Sequence, residues 1–250
     1  MEDTMFQGLI NPVKGLLKEQ MRMDVVSSNL ANASTCGYKK TRIAFQDVLE
    51  TQKNAHEAGA AGPHSASPSL VRTEIDFTPG DFKTTGNKLD MAIHGEGFFK
   101  VMTPDGVMYS RKGSFSLDSD GFLVTQNGDM VLGEGGPIQV QGNDILVNDL
   151  GEVSSDGDIV GTLALASFEN KNRLLATGRT MFANPANDPE LPVPLATRIK
   201  QGCLELPNVD IAEEMVSMIH CMRAFESYQK AVQILDEVNQ RAINDVSRIR

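Results

Sequence analysis

Apolar residues recur at two different periods along this chain. Near the N-terminus Leu9, Val13, Leu16, Met23 and Leu30 follow spacings of three, four and seven, with polar Gln20 and Ser27 in the intervening seam positions. That is a helical stripe with coiled-coil character. Two readings of Asn11-Pro12 are open: an N-cap with proline at the first helical position, or a proline kink in a longer helix. The first is preferred and predicts a helix from about Pro12 to Leu30. It ends at Ala31-Asn-Ala-Ser-Thr-Cys-Gly-Tyr38, where short polar side chains serve the backbone and Gly37 permits positive φ.

The C-terminal forty residues repeat the helical period. Ile211, Met215, Met218, Met222, Phe225, Gln229 and Val232 alternate four and three, and beyond Val232 the stripe shifts to Leu235, Val238, Ala242, Val246 and Ile249. The shift predicts a stutter, with the two halves of the helix meeting different neighbours. Asn208 or Asp210 is the expected cap, and Glu213 and Glu214 suit the first turn. A helix of about 36 residues would reach ~54 Å at 1.5 Å per residue. It needs a partner: its own sheet, the N-terminal helix, or other chains.

Between the helices the period falls to two. A strand-like run, Thr41 to Val48, comes first. Residues 51–69, rich in Ala, Gly, Ser and Pro, read as an exposed loop holding His56 and His64, which have no thiol or carboxylate arrangement for a metal. From Val71 to about Lys200, Asp105-Gly106, Asp120-Gly121, Asn127-Gly128 and Asp156-Gly157 are hairpin dipeptides between short alternating runs. They predict a meander of short strands in a sandwich or irregular barrel. The fold class is therefore α+β, mainly β with long terminal helices. The expected division is an N-terminal helix over 1–31, a turn, strand and linker over 32–75, a β domain over 76–200 and a C-terminal helix over 201–250, the two helices forming a coiled-coil domain.

Composition narrows function by exclusion. A net charge of −10 disfavours nucleic acid and anionic lipid. Trp is absent and aromatics make up 6%, which disfavours an aromatic-lined cofactor pocket. Cys36, Cys203 and Cys221 form no metal pattern, with a Cys36–Cys203 bridge left open. Asp118-Ser-Asp-Gly121 lacks the remaining ligands of a calcium loop, and Gly133-Glu-Gly-Gly136 lacks the Lys-Ser/Thr of a phosphate loop. No cofactor or metal is expected. The acidic N-terminus carries no apolar signal region, and no apolar run approaches the ~20 residues of a membrane span.

Three segments resemble the bacterial flagellar rod and hook proteins. Met23 to Lys39 is similar to their N-terminal signature, carried by Asn29, Leu30, Ala31, Asn32, Thr35 and Gly37. Thr85 to Phe99, continuing as Tyr109-Ser-Arg-Lys-Gly-Ser-Phe115 and Asp120-Gly-Phe-Leu-Val-Thr125, is similar to their central motif. Glu205-Leu-Pro-Asn-Val-Asp210 through Met218, with Arg223-Ala-Phe-Glu226, is similar to their C-terminal signature. Pro12, Ser28 and Pro207 depart from the family's pattern. The length and the run Met130 to Ile138 look more like the proximal-rod than the distal-rod member.

The resemblance implies a structural subunit that polymerises through its terminal helices into a hollow, torque-transmitting tube. Its expected partners are copies of itself, other rod and hook proteins and the flagellar type III export apparatus. Its expected place is the periplasmic rod, reached without a cleaved signal. The subunit-interface candidates are Leu9, Val13, Leu16, Met23, Asn29, Leu30, Asn32, Ile211, Met215, Met218, Met222, Phe225, Val232 and Leu235, with Thr35 and Gly37 shaping the turn. The isolated stripes are expected to be partly disordered before assembly. The remote rival is a hydrolase using Asp90, His94 and Glu96, which lacks a nucleophile motif.

Overall fold

The computed structural model describes residues 2–46, 70–142, 144–178 and 180–248. The loop over 51–69, with His56 and His64, lies outside the described residues. The elements are α1 (Glu2–Ala31), β1 (Thr41–Gln46), β2 (Leu70–Ile75), β3 (Phe82–Thr84), β4 (Met91–His94), β5 (Phe98–Thr103), β6 (Gly106–Ser110), β7 (Phe115–Leu117), β8 (Leu123–Thr125), β9 (Met130–Gly133) and β10 (Gly136–Pro137). There follow β11 (Ile145–Val147), β12 (Glu152–Ser155), β13 (Asp158–Thr162), β14 (Leu165–Ala166), β15 (Leu175–Gly178), β16 (Met181–Ala183), β17 (Arg198–Gln201), β18 (Cys203–Glu205) and α2 (Ile211–Arg248).

These elements form two compact units. One holds residues 1–28, 41–75 and 212–250; the other holds 29–40 and 76–211. This division differs from the one read in the sequence. The turn after α1 belongs with the β strands, β1 and β2 belong with the helices, and residues 201–205 are strand rather than the approach to a helix. α1 also runs through Pro12, ten residues earlier than the preferred reading started it, so it tolerates one missing N–H to the carbonyl of Gly8.

In the helical unit each helix has one covered stripe. On α2 it is Glu214, Met218, Cys221, Phe225, Val232 and Leu235, with Tyr228, 37% exposed, at its margin. On α1 it is Pro12, Leu16, Glu19, Met23 and Val26. The stripes meet where Gly15 leaves room for a ring: a Cβ at Gly15 would lie 2.6 Å from Tyr228 Cζ. The buried Cys221 thiol hydrogen bonds with Glu19, and burial, reinforced by that carboxylate, pushes the thiol above its ordinary pKa against the opposing pull of Arg22. The two terminal helices are thus paired with each other within one chain. β1 and β2 form a separate antiparallel ribbon with Thr41 opposite Ile75.

In the β unit the hairpin dipeptides fall where alternation placed them. Asp105-Gly106 joins β5 to β6, Asn127-Gly128 joins β8 to β9 and Asp156-Gly157 joins β12 to β13. The whole is not a simple meander. The order of the main sheet is β15-β16-β6-β5-β9-β8-β7, with β10 added to β9 and β14 to β5. β17 returns to pair with β4, and β18 with β3, so the last strands close onto the first. Asp-Gly turns are local and legible, whereas these returns span about a hundred residues.

β5 is buried on one face and, at Phe98, on the other. Phe99 and Val101 enter a core with Met91, Ile93, Phe115, Leu123, Val131 and Ile199. Phe98 points the other way, into an aromatic cluster with Phe77 at 5.4 Å, Phe182 at 5.7 Å and Phe168 at 6.2 Å between ring centroids. Tyr109 completes it, edge-on to Phe168 at 4.8 Å. Its hydroxyl donates to Glu190 at 2.6 Å, and Lys100 donates to the other oxygen of that carboxylate at 2.8 Å.

Burial, reinforced by the bond to Glu190, holds the Tyr109 phenol well above its ordinary pKa. The unfolded chain ionises this group near pH ~10 while the folded chain keeps it protonated. Its contribution to stability is therefore complete below that pH and declines as pH rises further. Alkaline titration of phenolate absorbance should show one of the three tyrosines resisting ionisation until the fold is lost. Loss of the late step in Tyr109→Phe assigns it; an unchanged profile would show that another tyrosine carries it.

Candidate functional site

The three signature segments converge in the β unit. Glu205, at the end of β18, is 1% exposed and faces two cations. Lys39 Nζ, from the turn after α1, donates to Glu205 Oε1 at 2.6 Å and to the Thr78 carbonyl at 2.7 Å. Arg111, following β6, places Nε 3.6 Å from Glu205 Oε2 and spends its terminal nitrogens on the carbonyls of Gly95 at 2.7 Å and Ile93 at 3.3 Å. The guanidinium carbon also lies 5.8 Å from the centre of the Phe98 ring. Glu205 Oε1 accepts the Gly80 N–H as well, and the Glu205 carbonyl accepts the Gly37 N–H.

Burial is the largest influence on both cations. It lowers the pKa of Lys39 and of Arg111, and the Glu205 carboxylate opposes it at each. One buried anion thus compensates two buried cations and holds the N-terminal signature, the central motif and the C-terminal signature at one point. Asn208 extends this junction: its Oδ1 accepts the Lys40 N–H at 2.7 Å, and its amide donates to the Asp76 carbonyl at 2.8 Å.

The turn over 29–40 is shaped for this position. Asn29, 1% exposed, accepts the Tyr38 hydroxyl at 3.0 Å, and Thr35 donates to Asn32 Oδ1 at 3.3 Å. Asn29 and Asn32, named in the sequence as interface candidates, are occupied within the turn. Gly37 has φ +73° and lies against the Lys112 backbone, where a Cβ would collide. Gly37→Ala should therefore cost more than the ~1–2 kcal/mol of a left-handed alanine. Urea unfolding checks this; a loss under ~0.5 kcal/mol, the ordinary range for a surface substitution, would contradict it.

The remaining interface candidates separate into two groups. Leu16, Met23, Leu30, Met218, Phe225, Val232 and Leu235 are partly buried within the chain. Val13 is 43% exposed, Ile211 50%, Met215 54% and Met222 48%. Leu17, Met21 and Ile219 are exposed beside them. Leu9, Ala242, Val246 and Ile249 lie outside the residues whose side chains are described. The single stripe read in each helix is therefore two stripes. The shift expected after Val232 is the step from one to the other, because Val232 and Leu235 are both partly buried.

The hydrolase residues are not brought together. Asp90 is buried and accepts bonds from Thr85 and Asn87, His94 stands exposed beside the Phe82 ring, and Glu96 pairs with Lys171. Cys36, Cys203 and Cys221 are free thiols. Among the described residues no group of three or more metal-binding side chains occurs, and no helix is long and apolar enough to cross a membrane.

Sequence reading missed Lys39, Arg111 and Glu205 as a set. Each stood inside a quoted motif, but a charge next to an alternating strand ordinarily reads as solvated surface. Their signal was position within the signatures rather than residue type.

Paired terminal helices and a β unit whose buried junction joins the three motifs define the architecture of the subunit. Three family profiles match in the same chain order: "Flagella basal body rod protein" over residues 12–39, "Flagellar hook protein FlgE/F/G D1 domain" over 92–158 and "Flagellar basal body rod FlgEFG protein C-terminal" over 200–245. The flagellar basal-body rod protein FlgG of Bacillus subtilis is 32% identical, covering 96% of this chain and 99% of its own. That of Borreliella burgdorferi is 32% identical over 94% and 96%, and that of Agrobacterium fabrum 34% over 90% and 93%. The chain belongs to the flagellar basal-body rod and hook protein family and is a structural rod protein.

The preference for the proximal-rod member is not upheld, since these end-to-end relatives are FlgG proteins and favour the distal-rod alternative. The run Met130 to Ile138 forms the β9–β10 hairpin, with Val131 and Ile138 in the core.

Proposed function

We propose that this chain is a distal-type rod subunit that polymerises through its terminal helices, with other rod and hook subunits as neighbours. The observation that carries this reading is the second, uncovered apolar stripe on each helix. The first stripe is used inside the chain, so the second is free for equivalent helices of adjacent copies. Identical subunits in a repeating contact that does not close on itself give a helical assembly, and helices on its inside give a tube. The β unit and the segment after Gly37 stiffen contacts between copies. The chain reaches the periplasmic rod through the flagellar export apparatus, as its family resemblance implies.

Deleting residues 211–250 tests the reading. The expected product stays monomeric at concentrations where the full chain sediments as polymer, and keeps the β-unit far-ultraviolet signal. A truncated chain that polymerises normally would sink the proposal.

A further inference from the structure

The β unit carries a basic surface whose cations have no carboxylate within ion-pair distance among the described residues. Several cations of this unit are paired: Lys88 with Asp144, Lys100 with Glu190, Lys171 with Glu96 and Arg173 with Asp188. Arg198 and Lys200 differ. They project from the same face of β17, two residues apart, and neither has a carboxylate within ion-pair distance among the described residues. Arg198 lies opposite exposed His94 on β4 and donates to the carbonyls of Leu195 and Thr197. Lys200 Nζ stands 5.6 Å from the centre of the Phe82 ring, and that ring lies 5.6 Å from His94. Lys83, also without a carboxylate within ion-pair distance among the described residues, neighbours Phe82 on β3. Leu195, beside Arg198, is 95% exposed. In a chain of net charge −10, these are two neighbouring cations without an ion-pair partner among the described residues, with an apolar residue at their margin.

The same unit carries a surface of complementary character. The turn between β12 and β13 is Asp156-Gly157, with φ of 50° and 99°, the twisted geometry of a projecting two-residue hairpin. Asp156 uses one oxygen on the Asp144 N–H, and neither Asp156 nor Asp158 has a cation partner among the described residues. Ile159, next in the strand, is 70% exposed, and Leu146, two strands away in the same cross-strand row, is 52% exposed. The turn over Asp118 and Asp120 is also acidic, but Asp118 is engaged by two backbone N–H groups and no exposed aliphatic residue adjoins it.

We infer that the surface formed by His94, Arg198, Lys200 and Phe82 receives the Asp156–Asp158 hairpin of a second copy of this chain, with Ile159 of that hairpin against Leu195. Complementary charge sets the register of such a contact, and like charge in the same place opposes it. The inference deepens the reading of the chain as a self-assembling subunit and rests on it. It places a specific contact between β units, beside the contacts made by the helices.

Charge exchange in the full-length chain tests it. Arg198→Glu with Lys200→Glu should raise the critical concentration for assembly about tenfold or more at low salt, with less effect at high salt. Adding Asp156→Asn and Asp158→Lys should restore assembly to near the parent level, since asparagine keeps the left-handed turn and an acceptor for the Asp144 N–H. All four positions are exposed, so circular dichroism should be unchanged. Normal assembly of the doubly reversed chain would overturn the inference, as would impaired assembly that the hairpin changes do not restore. A parent chain that never assembles would instead overturn the proposed function.

Discussion

Glu205→Ala should lower the stability of the β unit by about 3–5 kcal/mol, the usual consequence of removing one partner from a buried ion pair. Against a total of about 5–15 kcal/mol for a domain, that loss is large. The physical reason is the imbalance it leaves. Lys39 and Arg111 are both buried, and among the described residues Glu205 is the carboxylate within ion-pair distance of either. Without it two cations remain out of water, and the Gly80 N–H loses its acceptor. Glu205→Gln separates charge from hydrogen bonding, because the amide oxygen still accepts from Gly80 and Lys39. If charge dominates, the glutamine variant keeps most of the loss. Urea unfolding monitored by the far-ultraviolet signal reads both variants; a glutamine variant as stable as the parent would refute the electrostatic account.

The same junction shows why the sequence was only partly legible. Helices and hairpins follow from local spacing, so α2, the Asp105-Gly106 turn and the Asp156-Gly157 turn could be placed in advance. The Gly37 turn could be recognised, but not the reason for it, because the Lys112 backbone it lies against is 75 residues away in the chain. The pairings of β17 with β4 and β18 with β3 follow from no local period. For the helices the limit was different. An apolar stripe states that a face is covered but not by what, and two overlapping stripes on α2 read as one stripe with a stutter. Buried Glu19 and Glu214 hid the true seam, since carboxylates at seam positions look like its edge.

Replacing Met215 and Met222 together by glutamate should abolish or severely weaken assembly while leaving the helix pair intact. Both side chains are about half exposed, at 54% and 48%, and they lie seven residues apart on the uncovered stripe of α2. Covering them against a neighbour contributes about 2–4 kcal/mol for the pair, so its loss alone raises the critical concentration roughly 30- to 900-fold. The introduced charges add to that, because their burial in an apolar contact is opposed by desolvation. The covered stripe provides the control. Met218→Glu with Phe225→Glu should disrupt the pairing of α2 with α1 inside one chain, lowering helical signal and assembly together. The Met215/Met222 variant should lose assembly with its helical signal kept. If it assembles like the parent, the exposed stripe faces solvent in the polymer, and the helices contribute to the rod only through the pair they already form.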